Sequence, residues 1–242
     1  MKSLLLFLAL PFTLLAQDPE PNGYVALEKE GYIMFGYEDM VDGMTDEVDF
    51  KNQDIATDFV LQGKKPIEYR IKLEDNETGI LLRKGNDGWI IQDTLVTEAD
   101  LWEWREGWPL VSPFRVIDFD NDGNQDLVCI ESIGGHNEMS TVIYLNSPKF
   151  QKLVKLYDMA EDSYSFVNPE YDAKKHLLKT YISGGTYSIS ISSTYKINEG
   201  IAVPLMKTEI DLTNEEQTVN SNYKGKNGKW VLESTVKHKK SK

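Results

Sequence analysis

Between residues 67 and 73, apolar and polar side chains alternate without a break, Ile67, Tyr69, Ile71 and Leu73 against Glu68, Arg70 and Lys72. A period of two sends successive side chains to opposite faces of an extended chain, so this stretch can bury itself only as one face of a sheet. The pattern recurs. Residues 79–83 and 89–95 flank Lys84-Gly85-Asn86-Asp87-Gly88, a turn-rich pentapeptide that predicts a hairpin. Leu101-Trp102-Glu103-Trp104-Arg105 alternates again, and further strands are predicted at 114–117, 127–131, 141–145, 177–182, 187–197 and 229–235. In the 187–197 stretch Tyr187, Ile189, Ile191, Ser193, Tyr195 and Ile197 share one face. Helical periodicity is scarce, with 151–160 the best short candidate. Many short strands between polar turns predict an all-β (mainly β) domain, built as a sandwich, a barrel or a small propeller.

The ends of the chain read differently from its middle. Residues 1–16 form an export signal, with Lys2 as the positive region, an apolar run at 4–10, and Leu14-Leu15-Ala16-Gln17 as the cleavage site. The run is short and interrupted by Pro11, and no Cys follows it to carry a lipid. A periplasmic or extracellular location is expected. Residues 17–58 are an acidic segment, a solvated face or partly ordered arm, with a cation-binding surface as the alternative reading. The β domain is placed at 59–236, and Lys237-His238-Lys239-Lys240-Ser241-Lys242 reads as a frayed basic tail.

Charge narrows the function. With 26 Lys and Arg against 39 Asp and Glu, the net charge is −13, which disfavours nucleic acid and anionic membranes. A cationic partner or a divalent metal fits better. The single Cys129 cannot form an internal disulfide, so an exported domain of this kind needs a large core or a metal.

The strongest chemical signal is Asp118-Phe119-Asp120-Asn121-Asp122-Gly123-Asn124-Gln125-Asp126. Carboxylates at relative positions 1, 3, 5 and 9, with Gly at 6, follow the first nine positions of an EF-hand-type loop. Ca²⁺ takes about six to eight oxygens, so a tight turn must aim alternate side chains inward while Gly allows the bend. Asp118, Asp120, Asp122 and Asp126 would ligate through side chains and Asn124 through its carbonyl. Position 12 is Cys129 rather than a bidentate Glu, and it lies in the apolar run Leu127-Val128-Cys129-Ile130. The loop is therefore expected to join two strands, as in the calcium loops of FG-GAP-type propeller repeats, which it resembles. An acidic surface turn without metal is the alternative.

Two glycine-rich segments follow, Gly134-Gly135-His136-Asn137-Glu138 and Ser183-Gly184-Gly185-Thr186-Tyr187, each between predicted strands. With the acidic loop and Asn168-Pro169-Glu170-Tyr171-Asp172, they occur in the order seen in the periplasmic calcium-binding proteins related to i-type lysozyme inhibitors. Over roughly residues 111–200 the chain resembles that family. Some of its members are immunity proteins against lysozyme-like effectors of a type IV secretion system. The resemblance implies a β-propeller-like fold and a Ser-Gly-x-x-Tyr loop that enters a muramidase cleft, here Ser183, Gly184 and Tyr187. The expected partner is a cationic, lysozyme-like peptidoglycan hydrolase. A chain of this acidity would be steered towards such a partner. From the residues alone, Tyr187 could equally be a buried strand residue.

Catalytic signatures are thin. The chain has no Gly-x-Ser-x-Gly elbow, His-Glu-x-x-His helix or phosphate-binding Gly-x-x-x-x-Gly-Lys loop, and His136, His176 and His238 are scattered. His136 with Glu138 could form an acid–base pair, although a lone loop His more often makes an ordinary hydrogen bond. The expectation is a non-enzymatic protein. The alternatives are a calcium-stabilised carbohydrate-binding or adhesion module using Trp102, Trp104 and Trp108, and a secreted glycoside hydrolase.

Overall fold

A computed structural model describes residues 31–35, 55–75, 77–98, 110–134, 138–184, 188–214 and 216–239. The export signal, the alternating run at 101–105 with Trp102, Trp104 and Trp108, His136 and Tyr187 lie outside them. So does most of the acidic segment. The strands are β1 Tyr32–Phe35, β2 Ala56–Leu61, β3 Ile67–Leu73, β4 Thr78–Gly85, β5 Gly88–Val96 and β6 Leu110–Ile117. Next come β7 Asp126–Gly134, β8 Glu138–Ser147, β9 Lys152–Lys155, β10 Tyr157–Asp158, β11 Ser165–Val167 and β12 Glu170–Asp172. The last five are β13 Leu177–Ile182, β14 Ile189–Asn198, β15 Ile201–Asp211, β16 Gln217–Lys226 and β17 Lys229–Lys239.

Three open sheets result, and none closes into a barrel. A four-stranded sheet runs β2-β3-β4-β5. A six-stranded sheet runs β1-β6-β7-β8-β11, with β9 also on β8. A seven-stranded sheet runs β12-β13-β14-β15-β16-β17, with the short β10 parallel to β15. The fold is all-β and sandwich-like, one of the three architectures that the sequence left open.

The predicted alternation is what builds the cores. Tyr69, Ile71 and Leu73 of β3 are buried with Leu61, Leu81 and Leu95, and they pack against Phe114, Leu127 and Cys129 of the six-stranded sheet. Strand β8 then divides its side chains. Val142 and Tyr144 enter this first core, whereas Ile143 and Leu145 enter a second with Leu156, Phe166, Leu178 and Tyr195. The six-stranded sheet is thus covered on both faces, which is why β8 reads as an unbroken buried run from Thr141 to Asn146. Burial lifts the Cys129 thiol above its ordinary range, so it acts as a small apolar side chain.

Two hydroxyls cross between layers. Tyr69 Oη accepts the Leu153 N–H at 2.9 Å, and Tyr144 Oη donates to Asp93 at 3.0 Å. Burial pushes the Tyr69 phenol up to about 12. The predicted hairpin is present, with Gly85 opposite Gly88 and Asn86-Asp87 as its two-residue turn.

Some expectations are corrected. The 151–160 stretch is not helical: it holds β9 and β10, with Gln151 in a left-handed turn (φ 51°). Leu153 and Leu156 mimic helical spacing because each faces a different core. The basic tail is not frayed through Lys239, because β17 pairs with β16 as far as Gln217 opposite Lys239. At the other end, Tyr32–Phe35 of the acidic segment pairs with β6, and Ile55 is buried just before β2.

Removing the Tyr69 hydroxyl strands the buried Leu153 N–H. Tyr69→Phe is expected to lower unfolding free energy by about 1–3 kcal/mol with an unchanged m-value, measured by urea denaturation.

Candidate functional site

The acidic loop spans the turn from β6 to β7, which pair as a hairpin with Ile117 opposite Asp126. The strand-loop-strand setting expected from sequence is therefore present. Asn121 (φ 55°) and Gly123 (φ 86°) are left-handed, so the chain reverses tightly. A Cβ on Gly123 would meet nothing within 4 Å, so conformation rather than space calls for Gly there.

Each carboxylate has its own fixing. Asp118 accepts the N–H groups of Asp122 (3.0 Å) and Gly123 (3.1 Å). Asp126 is 1% exposed and accepts the Phe119 N–H at 2.9 Å and the Asn146 N–H at 2.7 Å. Asp120 places Oδ1 in a buried position with no hydrogen-bond partner. Ligand oxygens of Asp118, Asp120 and Asp126 lie within 4.8 Å of one another. Asp122 is outside this triad, and its carboxylate accepts both the backbone N–H and Nδ2 of Asn124.

A second segment supports the loop. Asn124 is 2% exposed, and its Oδ1 accepts the Lys64 N–H at 3.0 Å. Gln125 exchanges two bonds with Gln62, donating its N–H to the Gln62 carbonyl (2.7 Å) and accepting the Gln62 N–H through Oε1 (2.9 Å). Gly63 completes the clamp, because a Cβ there would sit 2.4 Å from Asn124 Oδ1. Nothing in the sequence linked Gln62, Gly63 and Lys64 to a loop some sixty residues away.

The electrostatics follow from this crowding. Burial, then the Asp122 and Asp118 charges, raise the Asp120 carboxyl to about 6. Burial raises Asp126 to about 7 despite its two N–H donors. An unpartnered buried oxygen inside an all-oxygen, like-charged group suits a cation, and Asp118, Asp120 and Asp126 could hold a metal ion.

The second predicted site lies on the seven-stranded sheet. Ile182, the last residue of β13, pairs with Ile191, and Ser183 and Gly184 continue beyond it, both half-buried. A Cβ on Gly184 would lie 2.2 Å from the Ile189 carbonyl oxygen, so only Gly fits this return. Asn168, left-handed at φ 45°, holds this end together. It exchanges two bonds with Met139, N–H to carbonyl and Oδ1 from N–H, each 2.9 Å. Its Nδ2 donates to the Tyr181 carbonyl at 3.0 Å. Met139 follows the Gly134–Glu138 turn pair, and Tyr181 precedes Ser183. The bases of both glycine-rich loops are therefore stitched side by side, with Ile133, Met139 and Tyr181 exposed around them. The sequence marked Asn168 as part of a pattern but gave no sign of this bridging role.

The acidic loop reaches the seven-stranded sheet at its edge strand β12, whereas Ser183 follows the end of β13. Phe119 of the acidic loop contacts Tyr171 with ring centroids 6.2 Å apart, and Tyr171 pairs with Leu178. From Leu178 to Ile182 the strand advances about 13 Å.

No protein-family model matches the chain, and no curated protein matches it. Among solved structures, that of a Xanthomonas type IV secretion system related protein is similar, with a TM-score of 0.50 and 14% identity. The match covers 78% of this chain and 98% of that one. The likeness is one of fold.

The raised carboxyls set a pH dependence. Without metal, folded Asp120 and Asp126 hold protons that the unfolded chain has released. Their contribution to stability therefore falls as pH rises from about 4 to about 7. A bound cation must displace those protons. Its increment in Tm is therefore expected to grow between pH 5.5 and 7.5, measured by scanning calorimetry with and without divalent cation.

Proposed function

We propose that this chain is an exported, calcium-stabilised protein, without catalytic activity of its own, that inhibits or gives immunity to a lysozyme-like peptidoglycan hydrolase. The loop from Ser183 through Gly184 to Tyr187 enters the hydrolase cleft, and the neighbouring Gly134–Glu138 turn flanks it. The observation that carries this reading is the Asn168 bridge, which fixes the bases of two glycine-rich loops on one end of the molecule. Fixing the bases of two loops lowers the ordering cost of binding a concave site. Ser183 and Tyr187 hydroxyls can hydrogen-bond catalytic carboxylates without offering a bond that the enzyme could cleave. The fold likeness to a type IV secretion system related protein supports a place in the envelope beside secreted effectors.

Calcium is the cation we assign to Asp118, Asp120 and Asp126. Hard oxygen donors grouped in one turn favour it over softer metals. The Asn124 carbonyl would add a further oxygen, and Asp122 would join the shell by turning from Asn124 towards the ion. The ion screens the carboxylates and pins the β6–β7 turn, and it takes no part in chemistry.

Two experiments test the reading. Mature protein titrated against c-, g- and i-type lysozymes and effector muramidases is expected to give stoichiometric inhibition of at least one. Tyr187→Ala is expected to weaken that inhibition tenfold or more with an unchanged melt, and Asn168→Ala to weaken it less. No inhibition across the panel would sink the inhibitor reading. Separately, Ca²⁺ at a hundredfold excess over Kd adds about 2.7 kcal/mol. This is expected to raise Tm by roughly 5–10 °C over chelator. An unchanged melt would sink the calcium assignment.

A further inference from the structure

The charge of this molecule is divided in a way that its total hides. Residues 217–242 hold seven lysines (Lys224, Lys226, Lys229, Lys237, Lys239, Lys240 and Lys242) against Glu233 alone, a net +6. With a total of −13, the rest of the chain carries −19. Lys224 and Lys226 fall on β16, and Lys229, Lys237 and Lys239 on β17, the last two strands of the seven-stranded sheet.

Strand β17 is also an open edge. It pairs with β16 along its length, and among the described residues no strand pairs with its outer side. At eleven residues it is far longer than β12, the three-residue strand at the opposite edge. Ten of its eleven side chains are exposed, with only Trp230 half-buried against the second core. Val231, Leu232 and Val236 are exposed at 40%, 55% and 46%. Such an edge offers a row of backbone donors and acceptors to any extended chain that approaches it.

Lysines on an edge strand ordinarily prevent edge-to-edge association. Here they decide what is admitted. A second copy is disfavoured, because antiparallel pairing of β17 with itself would set Lys229 of one copy near the Lys237–Lys239 end of the other. A polyanion without a peptide backbone would use the lysines but leave the backbone row and the apolar side chains unused. An extended acidic peptide satisfies all three features. We infer that the β17 edge is a docking site for an acidic, β-forming segment of a partner protein, added to the sheet as an eighth strand. Strands β14, β15 and β16 separate this edge from β13, which leads into the Ser183–Tyr187 loop.

The test uses full mature protein and a fluorescein-labelled peptide of alternating Glu and Val, nine residues long, followed by anisotropy at low salt. Saturable binding is expected, with amide exchange slowed on β17. Two controls separate strand addition from simple charge attraction. A peptide of equal charge with Pro replacing the central Val is expected to bind at least tenfold more weakly, since it lacks a donor and cannot extend the ladder. The Lys237→Glu/Lys239→Glu variant, both positions exposed, is expected to lose tenfold or more while melting like the parent. Equal binding of the two peptides would overturn the proposal, as would no binding at all. Binding of phosphatidylglycerol vesicles without peptide binding would assign the edge to a membrane surface and overturn it likewise. None of these readouts involves a hydrolase, so they fail or succeed separately from the inhibitor reading.

Discussion

A carboxylate with almost no contact with water sits where three parts of this fold meet. Asp126 begins β7, receives the Phe119 N–H from the acidic loop and receives the Asn146 N–H from β8. Each bond satisfies a backbone donor at a strand end or turn that would otherwise lie buried and unpaired. Burying the group carries a large desolvation penalty, visible in its raised proton affinity. The arrangement makes sense if a positive charge shares the site. The remaining loop geometry follows from Asp126. Asp120 is carried inward, Asp118 caps the turn, and Asn124 swings against the Gln62–Lys64 connection.

That connection gives the loop reach. Through Gln62, Gly63 and Lys64 it holds the four-stranded sheet, and through Phe119 and Tyr171 it leans on the edge of the seven-stranded one. A short turn thus touches all three layers. Its stability is therefore a property of the whole packing rather than of one hairpin.

Much of this was legible in the sequence. The Ile67–Leu73 alternation placed β3 to the residue, because one of its faces lies in a core, and the turn at Gly85–Gly88 followed from its residues. The acidic loop could be placed between strands because Leu127, Val128 and Cys129 left no room for a helix. Less legible were β15 and β16. Their side chains are mostly half-buried on both faces, so Ile201–Asp211 and Gln217–Lys226 show no clean alternation. The false helix at 151–160 arose because a chain crossing from one core to another borrows the spacing of a helix face. At the sites, spacing identified the carboxylates but not which of them converge. That Asp122 turns aside to Asn124 depends on Lys64, and the role of Asn168 depends on Met139 and Tyr181. Those are long-range contacts that local pattern does not encode.

Strand β8 has a further consequence. Its odd and even side chains belong to different cores, so both cores depend on the same strand. Loss of the seven-stranded sheet would expose Ile143 and Leu145, and loss of the four-stranded sheet would expose Tyr144 and Val142. The chain therefore has no natural point of division. A fragment ending before Leu177 would present a bare apolar layer to water and aggregate rather than fold, and the two outer sheets can be expected to melt together. Such a chain must reach its last strands before its middle one is safe from water.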